Sequence, residues 1–198
     1  MLPPARNGPD RLGSFIAVVG PSGAGKDTLL ALAREALAGD SDYVFARRIV
    51  TRRALPSAED HDSLDIAAFL AAEAEGRFCI TWQAHGLHYG LPCAAAEAYE
   101  HGATVVSNVS RAAMERIAKR FPNLHVIEIT APRDVLVERL VGRGRETRAE
   151  IEVRLARAAE LPAPAGGWSY RIIENAARAE DAAALLVSAI RDPAGSRR

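Results

Sequence analysis

The chain has 198 residues, 48% of them apolar and 25% charged, enough for one domain of ordinary size with a real core. Twenty-five basic side chains balance twenty-five acidic ones. A net charge of zero argues against broad binding to nucleic acid or to a membrane surface, although it leaves room for a local basic cleft. No apolar run approaches the roughly 20 residues that span a bilayer. The first twelve residues hold Pro3, Pro4, Gly8 and Pro9 with no apolar stretch, so no secretory signal is read and a cytoplasmic protein is expected. Cys79 and Cys93 make neither a metal pattern nor a disulfide framework and are expected to be buried reduced thiols.

In chain order, residues 1–13 and 192–198 are expected as tails around a single domain, 14–191. Phe15–Val19 is the first strand. Gly20-Pro21-Ser22-Gly23-Ala24-Gly25-Lys26-Asp27-Thr28 follows and opens a helix over Lys26–Leu37. The spacing Gly20, four residues, Gly25-Lys26 is the phosphate-binding loop pattern, in the strand–loop–helix setting that gives it meaning. Glycines let successive N–H groups turn inward on a phosphate, the helix start adds its positive end, and Lys26 adds a point charge. A Ser or Thr hydroxyl usually follows the lysine and binds magnesium; here Asp27 stands there and Thr28 comes next. Either Thr28 takes the metal role or Asp27 enters the magnesium shell.

Tyr43–Val50 reads as a strand interrupted by Arg47-Arg48, and Arg53–Asp65 as a polar loop holding Pro56. A helix is expected over Ile66–Glu75, a strand over Phe78–Gln83, a turn or edge hairpin at Gly86–Gly90, and a helix over Pro92–His101. Ala103–Ser107 is a buried strand, Arg111–Arg120 a helix, Leu124–Thr130 a strand, and Arg133–Leu140 a helix opened by Pro132. A glycine–arginine stretch, Val141–Arg148, leads into a charged helix over Arg148–Glu160. Ser169–Ile173 is the last strand and Ala179–Ile190 the last helix. Such alternation predicts an α/β fold, a parallel sheet with helices on both faces.

The second chemical signal is arginine. Arg47, Arg48, Arg52 and Arg53 fall within seven residues, in a chain whose only lysines are Lys26 and Lys119. A forked guanidinium suits bidentate capture of phosphate oxygens, whereas a solvated strand edge is the bland alternative. Arg139, Arg143, Arg145 and Arg148 form a second group, with Arg154 and Arg157 beyond. With Gly142 and Gly144 among them they suggest a hinged, cationic lid of the kind that phosphoryl transfer requires, against the plainer reading of a solvated helix with pairs such as Glu150–Arg154. No acid ends the strand Ala103–Ser107, where a magnesium-binding carboxylate is often found; Ser107-Asn108 stands there. His61, His85 and His88 lie near the expected acceptor region, as substrate contacts or as plain structural histidines.

These segments together resemble the guanylate-kinase-like nucleoside monophosphate kinases over nearly the whole chain. Gly20–Lys26 looks like their phosphate loop, Arg48-Ile49-Val50-Thr51-Arg52 like their acceptor-phosphate segment, His85–Gly90 like their tyrosine–glycine segment with Tyr89, and Arg139–Gly144 with Ile151–Leu155 like their lid. Departures point to one branch. Asp27 replaces the serine of guanylate kinases, Thr81 stands where they carry a guanine-reading glutamate before the tryptophan, and Ser107-Asn108 replaces an acid. Together with Glu59-Asp60-His61, Trp82–Gly90 and Asn108-Val109-Ser110-Arg111, these features are similar to the ribose 1,5-bisphosphate phosphokinase family.

The resemblance implies a P-loop kinase with a small acceptor-binding region over about 43–92 and a lid over about 141–156. It implies ATP and Mg²⁺ as donor and cofactor and transfer of a phosphoryl group to the C1 phosphate of ribose 1,5-bisphosphate. It assigns catalysis to Lys26, Arg143 and Arg154. Gly20, Pro21, Ser22, Gly23, Ala24, Gly25, Lys26, Asp27, Thr28 and Arg139 would bind the nucleotide, with Asp27 or Thr28 serving the metal. Arg47, Arg48, Arg52, Glu59, His85, Tyr89 and Asn108 would bind the acceptor. The expected partners are small molecules, with a homodimer left open. A nucleoside monophosphate kinase and a non-catalytic binding module are the competing readings.

Overall fold

A computed structural model of the protein describes residues 12–51, 61–84, 86–144, 146–156 and 168–193. Its centre is β1 (Ser14–Val19), every residue from Phe15 to Val19 being fully buried. A strand that is apolar on both faces needs cover on both. Phe15, Ala17 and Val19 face a core completed by α3 (Cys93–Glu100) and α4 (Met114–Arg120). Ile16 and Val18 face a second core formed with α1 (Lys26–Ala36) and α7 (Ala179–Arg191). The alternation within five residues therefore sets two cores on opposite sides of one sheet.

That sheet holds five parallel strands, in the order β2 (Tyr43–Phe45), β7 (Thr104–Asn108), β1, β8 (Leu124–Thr130) and β9 (Ser169–Glu174). The expected α/β architecture, with helices on both faces, is present. A second sheet of four strands has the order β4 (His61–Ser63), β3 (Arg48–Val50), β6 (Leu87–Pro92) and β5 (Phe78–Ala84), and α2 (Ile66–Ala74) packs on it.

The single strand expected over Tyr43–Val50 is in fact two, in different sheets. The Ala46 amide still donates to Val106 O of the first sheet at 2.9 Å, while Ile49 pairs with Gly90 of the second. The chain changes sheets at Ala46-Arg47, and the arginine pair that interrupted the apolar pattern marks the crossing. The loop expected over Arg53–Asp65 ends in a strand, β4, parallel to β3; residues 52–60 lie outside the described part. Of the turn or edge hairpin expected at Gly86–Gly90, the structure shows the hairpin: these residues form its tip and the start of its second arm, where His88 and Tyr89 pair with Gln83 and Trp82. The helix expected from Arg111 opens as a 3₁₀ turn, Arg111–Ala113, and becomes α-helical at Met114. Cys79 and Cys93 are free thiols but half-buried rather than buried, and burial pushes the Cys79 thiol up to about 11. Among the described residues no helix is long and apolar enough to cross a membrane.

Beyond β8, α5 (Arg133–Val141) and α6 (Arg148–Ala156) form a two-helix unit around a small core of Val137, Leu140 and Ile151. Residues 157–160, expected to extend α6, lie outside the described part. Of the two glycines expected to hinge this unit, Gly144 adopts φ +65, whereas Gly142 continues the helical backbone at φ −60. The start of α6 is fixed by a reciprocal cap. The Thr147 amide and hydroxyl donate to Glu150 Oε2 at 2.8 and 2.7 Å, and the Glu150 amide donates back to Thr147 Oγ1 at 3.4 Å. Glu150 is thus occupied at the cap. Thr147→Ala is expected to cost about 1 kcal/mol of local stability. It should speed amide exchange across Arg148–Ala156 while exchange in β1 and β8 stays unchanged; equal exchange in α6 would show the cap to be unimportant.

Candidate active site

The site is built where β1 ends. Gly20 leaves the strand at φ +141, and a Cβ there would stand 2.1 Å from the Ile129 carbonyl oxygen of β8. Only glycine allows that approach. Gly25 precedes α1 at φ +89, and a Cβ on it would meet Asn175 Nδ2 at 2.4 Å. Asn175 is itself buried. Its Nδ2 donates to Ala24 O at 2.9 Å and its amide to Thr130 O at 2.7 Å, so the end of β9 braces the loop from behind. Nothing in the sequence marked Asn175; its signal is a buried amide at a strand end, visible only once β9 is placed.

Lys26 curls back over its own loop. Its ammonium donates to Gly20 O at 2.8 Å and Pro21 O at 2.9 Å. Burial lowers its pKa from 10.5 to about 8, against the raising effect of Asp27, and the charges of Arg48, Arg143 and Arg111 lower it further. These arginines come from three separate elements: β3, the turn after α5 and the turn after β7. The molecule is neutral overall, yet it gathers cations around an ammonium that is already desolvated. Such a cluster is stabilised by an anion. Arg139 of α5 adds a further guanidinium, its Nη1 3.5 Å from Gly23 O.

Asp27 and Asn108 meet. Asn108 Nδ2 donates to Asp27 Oδ1 at 2.8 Å, joining the start of α1 to the end of β7. Asn108, read from the sequence as an acceptor residue, thus stands beside the nucleotide loop as well. Its Oδ1 is buried without a hydrogen-bond partner. Thr28, the alternative metal residue, lies on the exposed side of α1, as Ser22 does on the loop.

A second group of side chains comes from the second sheet. Arg48 stacks over the Tyr89 ring at 5.5 Å, and Tyr89 stacks on Trp82 at 5.4 Å and 8°. Arg48 and Asn108 line the same cleft, together with Arg34. Arg48 Nε, Trp82 Nε1 and Ser110 Oγ are, like Asn108 Oδ1, buried and without a partner. Buried polar atoms are ordinarily satisfied, and two of these, on Arg48 and Asn108, belong to side chains that line one cleft. Arg47 Nη2 contacts Asp62 Oδ1 at 3.2 Å, both side chains being about half exposed. His88 packs its ring on Phe69 of α2, at 5.6 Å. Arg52, Glu59 and His85 lie outside the described residues, as does the side chain of Arg154 on α6.

The structure therefore brings together Lys26, Asp27, Arg48, Tyr89, Asn108, Arg139 and Arg143 from the sequence reading, and adds Arg111 and Asn175. Among the described residues no group of three or more His, Cys, Asp or Glu could hold a metal ion. Chemically, the arrangement can grip a chain of phosphates in the loop and present a second anion from the opposite sheet.

No family model matches the chain. It is similar to a ribose 1,5-bisphosphate phosphokinase, PhnN, of Chelativorans sp. (strain BNC1), with 45% identity over 189 residues covering 94% of this chain and 88% of the relative. A protein of the same name from Methylobacterium radiotolerans is 47% identical over 180 residues, covering 90% and 98%. Another, from Brucella abortus biovar 1, is 53% identical over 145 residues, covering 73% and 76%. Among solved structures, a guanylate kinase from Anaplasma phagocytophilum superposes with a TM-score of 0.64 at 17% identity, covering 94% of this chain and 88% of that one, which speaks for the fold alone. Similarity on this scale, across nearly all of the chain, places the protein in the ribose 1,5-bisphosphate phosphokinase family.

Proposed function

We propose that the protein transfers the γ-phosphoryl group of ATP to the C1 phosphate of ribose 1,5-bisphosphate, forming 5-phosphoribosyl 1-diphosphate and ADP. The observation that carries this reading is the set of cations converging on Lys26 from the second sheet, the turn after α5 and the turn after β7. Two polyanions must be held end to end, and four cationic side chains from separate elements are arranged to do so. The names of the relatives supply the substrate.

An oxygen of the acceptor phosphate attacks the γ-phosphorus, and the bond from that phosphorus to the bridging oxygen of ADP breaks. The attacking oxygen is already ionised at neutral pH, so no general base is required. Catalysis is then positioning and charge stabilisation. Lys26 exchanges its two carbonyl partners for phosphate oxygens. Arg143 and Arg154 close over the migrating group, and Arg139 holds the nucleotide beside Gly23. Arg48, steadied on Tyr89, grips acceptor phosphate with Arg52; Arg47 joins them when it releases Asp62. Glu59, His85 and Asn108 address the sugar hydroxyls.

Mg²⁺ fits the oxygen donors available. Asp27 offers a carboxylate and Asn108 a buried Oδ1 that makes no hydrogen bond among the described residues, both hard ligands. Bound there, the ion would neutralise charge developing on the phosphates. The protein acts on small molecules in this reading, in the cytoplasm, with no role for nucleic acid.

The direct test is a coupled assay of purified protein with ATP and Mg²⁺, offering ribose 1,5-bisphosphate or GMP. Turnover of the sugar bisphosphate alone is expected; turnover of GMP alone would identify a divergent nucleotide kinase. Asp27→Asn should raise the Mg²⁺ concentration needed for half-maximal rate about tenfold, the scale of losing one charged contact; an unchanged requirement would remove Asp27 from the metal site.

Lys26 gives a pH signature. In the free protein its pKa is about 8, below its unfolded value of 10.5, so burial penalises the fold in full below pH 8 and the penalty is relieved as pH rises from 8 towards 10.5. An anionic phosphate reverses the preference by favouring the ammonium. Nucleotide binding should therefore take up more protons at pH 8.5 than at pH 6.5. Calorimetry in buffers of different ionisation enthalpy measures this. Equal uptake at both pH values, or uptake that persists in Lys26→Met, would contradict the assignment.

A further inference from the structure

A buried acid sits inside the central sheet where only apolar residues are needed. Glu128 of β8 is 8% exposed and pairs in register with Val19, the residue before Gly20. Both carboxylate oxygens are engaged. Arg111 Nη2 donates to Oε1 at 2.6 Å, and the Tyr170 hydroxyl of β9 donates to Oε2. Burial and the Glu128 carboxylate hold the Tyr170 pKa up at about 12, so it remains a proton donor at any physiological pH. A buried carboxylate is costly unless fully paired, and placing one beneath a phosphate loop needs a reason beyond stability, since apolar residues of similar size would stabilise as well.

The reason lies in what Glu128 holds. Arg111 belongs to the segment Asn108-Val109-Ser110-Arg111, whose two ends border the site. Asn108 bonds Asp27, and the Val109 amide donates to Val18 O at 3.1 Å, so the segment runs beside the exit of β1. Its other side packs on the acceptor sheet. Ala113 shares a core with Trp82 and Tyr89, and Arg116 of α4 donates to Thr81 O. Arg111 therefore sits on the turn that joins the nucleotide loop to the acceptor sheet, close enough for Lys26 to feel its charge. Ser110 beside it carries a buried hydroxyl without a partner.

We propose that Arg111 is a further acceptor-phosphate-binding residue of this site, and that Glu128 and Tyr170 are its positioning residues. The inference rests on the kinase reading above for the identity of the acceptor, but not for the anion-binding role. Clamped by Glu128, the guanidinium is held in one orientation and loses little rotamer freedom when a phosphate arrives. Tyr170 locks the carboxylate, and a strand of the sheet thereby sets the aim of an arginine in the turn. Together, Arg48 and Arg111 give an acceptor phosphate two guanidinium groups.

The test uses the full chain and the variants Arg111→Ala, Arg111→Lys and Tyr170→Phe, each checked for folding by thermal unfolding. With wild-type protein first shown to turn over ribose 1,5-bisphosphate, Arg111→Ala should raise the acceptor KM about 30-fold or more, the worth of a charge-assisted contact. ATP affinity should stay within about threefold, as for a contact outside the nucleotide site. Arg111→Lys should recover part of the loss, and Tyr170→Phe should show a smaller rise in the same constant. Because a wild type silent on this acceptor would defeat the functional reading alone, the second arm needs no turnover. Protein saturated with ADP and Mg²⁺ is titrated with inorganic pyrophosphate, and Arg111→Ala should bind it at least about tenfold more weakly than wild type. If Arg111→Ala loses only thermal stability and binds pyrophosphate like wild type, or if wild type binds no pyrophosphate, the proposal is overturned and the triad is an internal ion pair.

Discussion

The organisation of this protein follows from one electrostatic constraint: an ammonium, already stripped of water by its own loop, is surrounded by arginines. Repulsion of that kind is tolerated only where the backbone leaves the side chains no alternative, and each element contributes to enforcing it. Gly20 presses the loop against β8, Asn175 closes it from β9, and α1 begins at Lys26 itself. The opposing cations sit on supports of their own, Arg48 on Tyr89 and Arg111 on Glu128. The fold stores the conflict and an anionic ligand resolves it, which is the sense in which binding and catalysis here are prepared in advance.

Two sheets are needed for this. A parallel sheet alone delivers the loop and its helix at one end of the strands. The second sheet, entered at Ala46-Arg47, carries Arg48 and Tyr89 across from it, while the hairpin of β5 and β6 supplies Trp82 as a flat backing. Thr81 of β5 donates its hydroxyl to Glu73 Oε1 of α2 at 2.6 Å.

Most of the central architecture was legible because its signals are local. β1 is five consecutive apolar residues before a glycine loop, and β8, Leu124–Thr130, matches its expected limits to the residue. Lys26, Asp27, Arg48, Tyr89 and Asn108 were legible too, because each sits in a short motif. Less visible were the features that depend on contacts between distant segments. The strand over Tyr43–Val50 looked continuous because an apolar pattern does not show which sheet its two halves join. Glu128 was hidden inside a strand that otherwise reads as core, and its meaning appears only when Arg111 and Tyr170 arrive from 17 and 42 residues away. Thr147 and Glu150 did carry a readable cap, three residues apart, which the surrounding arginines obscured.

The bonds that Lys26 makes to Gly20 and Pro21 have a further consequence for selectivity. The lysine is not a loose tether seeking any negative charge; it is a latch closed on the loop's own carbonyls. Every arriving anion competes with those two internal acceptors. An isolated halide or a weakly basic oxyanion offers the ammonium little that the carbonyls do not already provide. A polyphosphate offers charged oxygens to the loop amides and to the ammonium in the same step, and so opens the latch. Such a latch favours a polyphosphate over an isolated small anion.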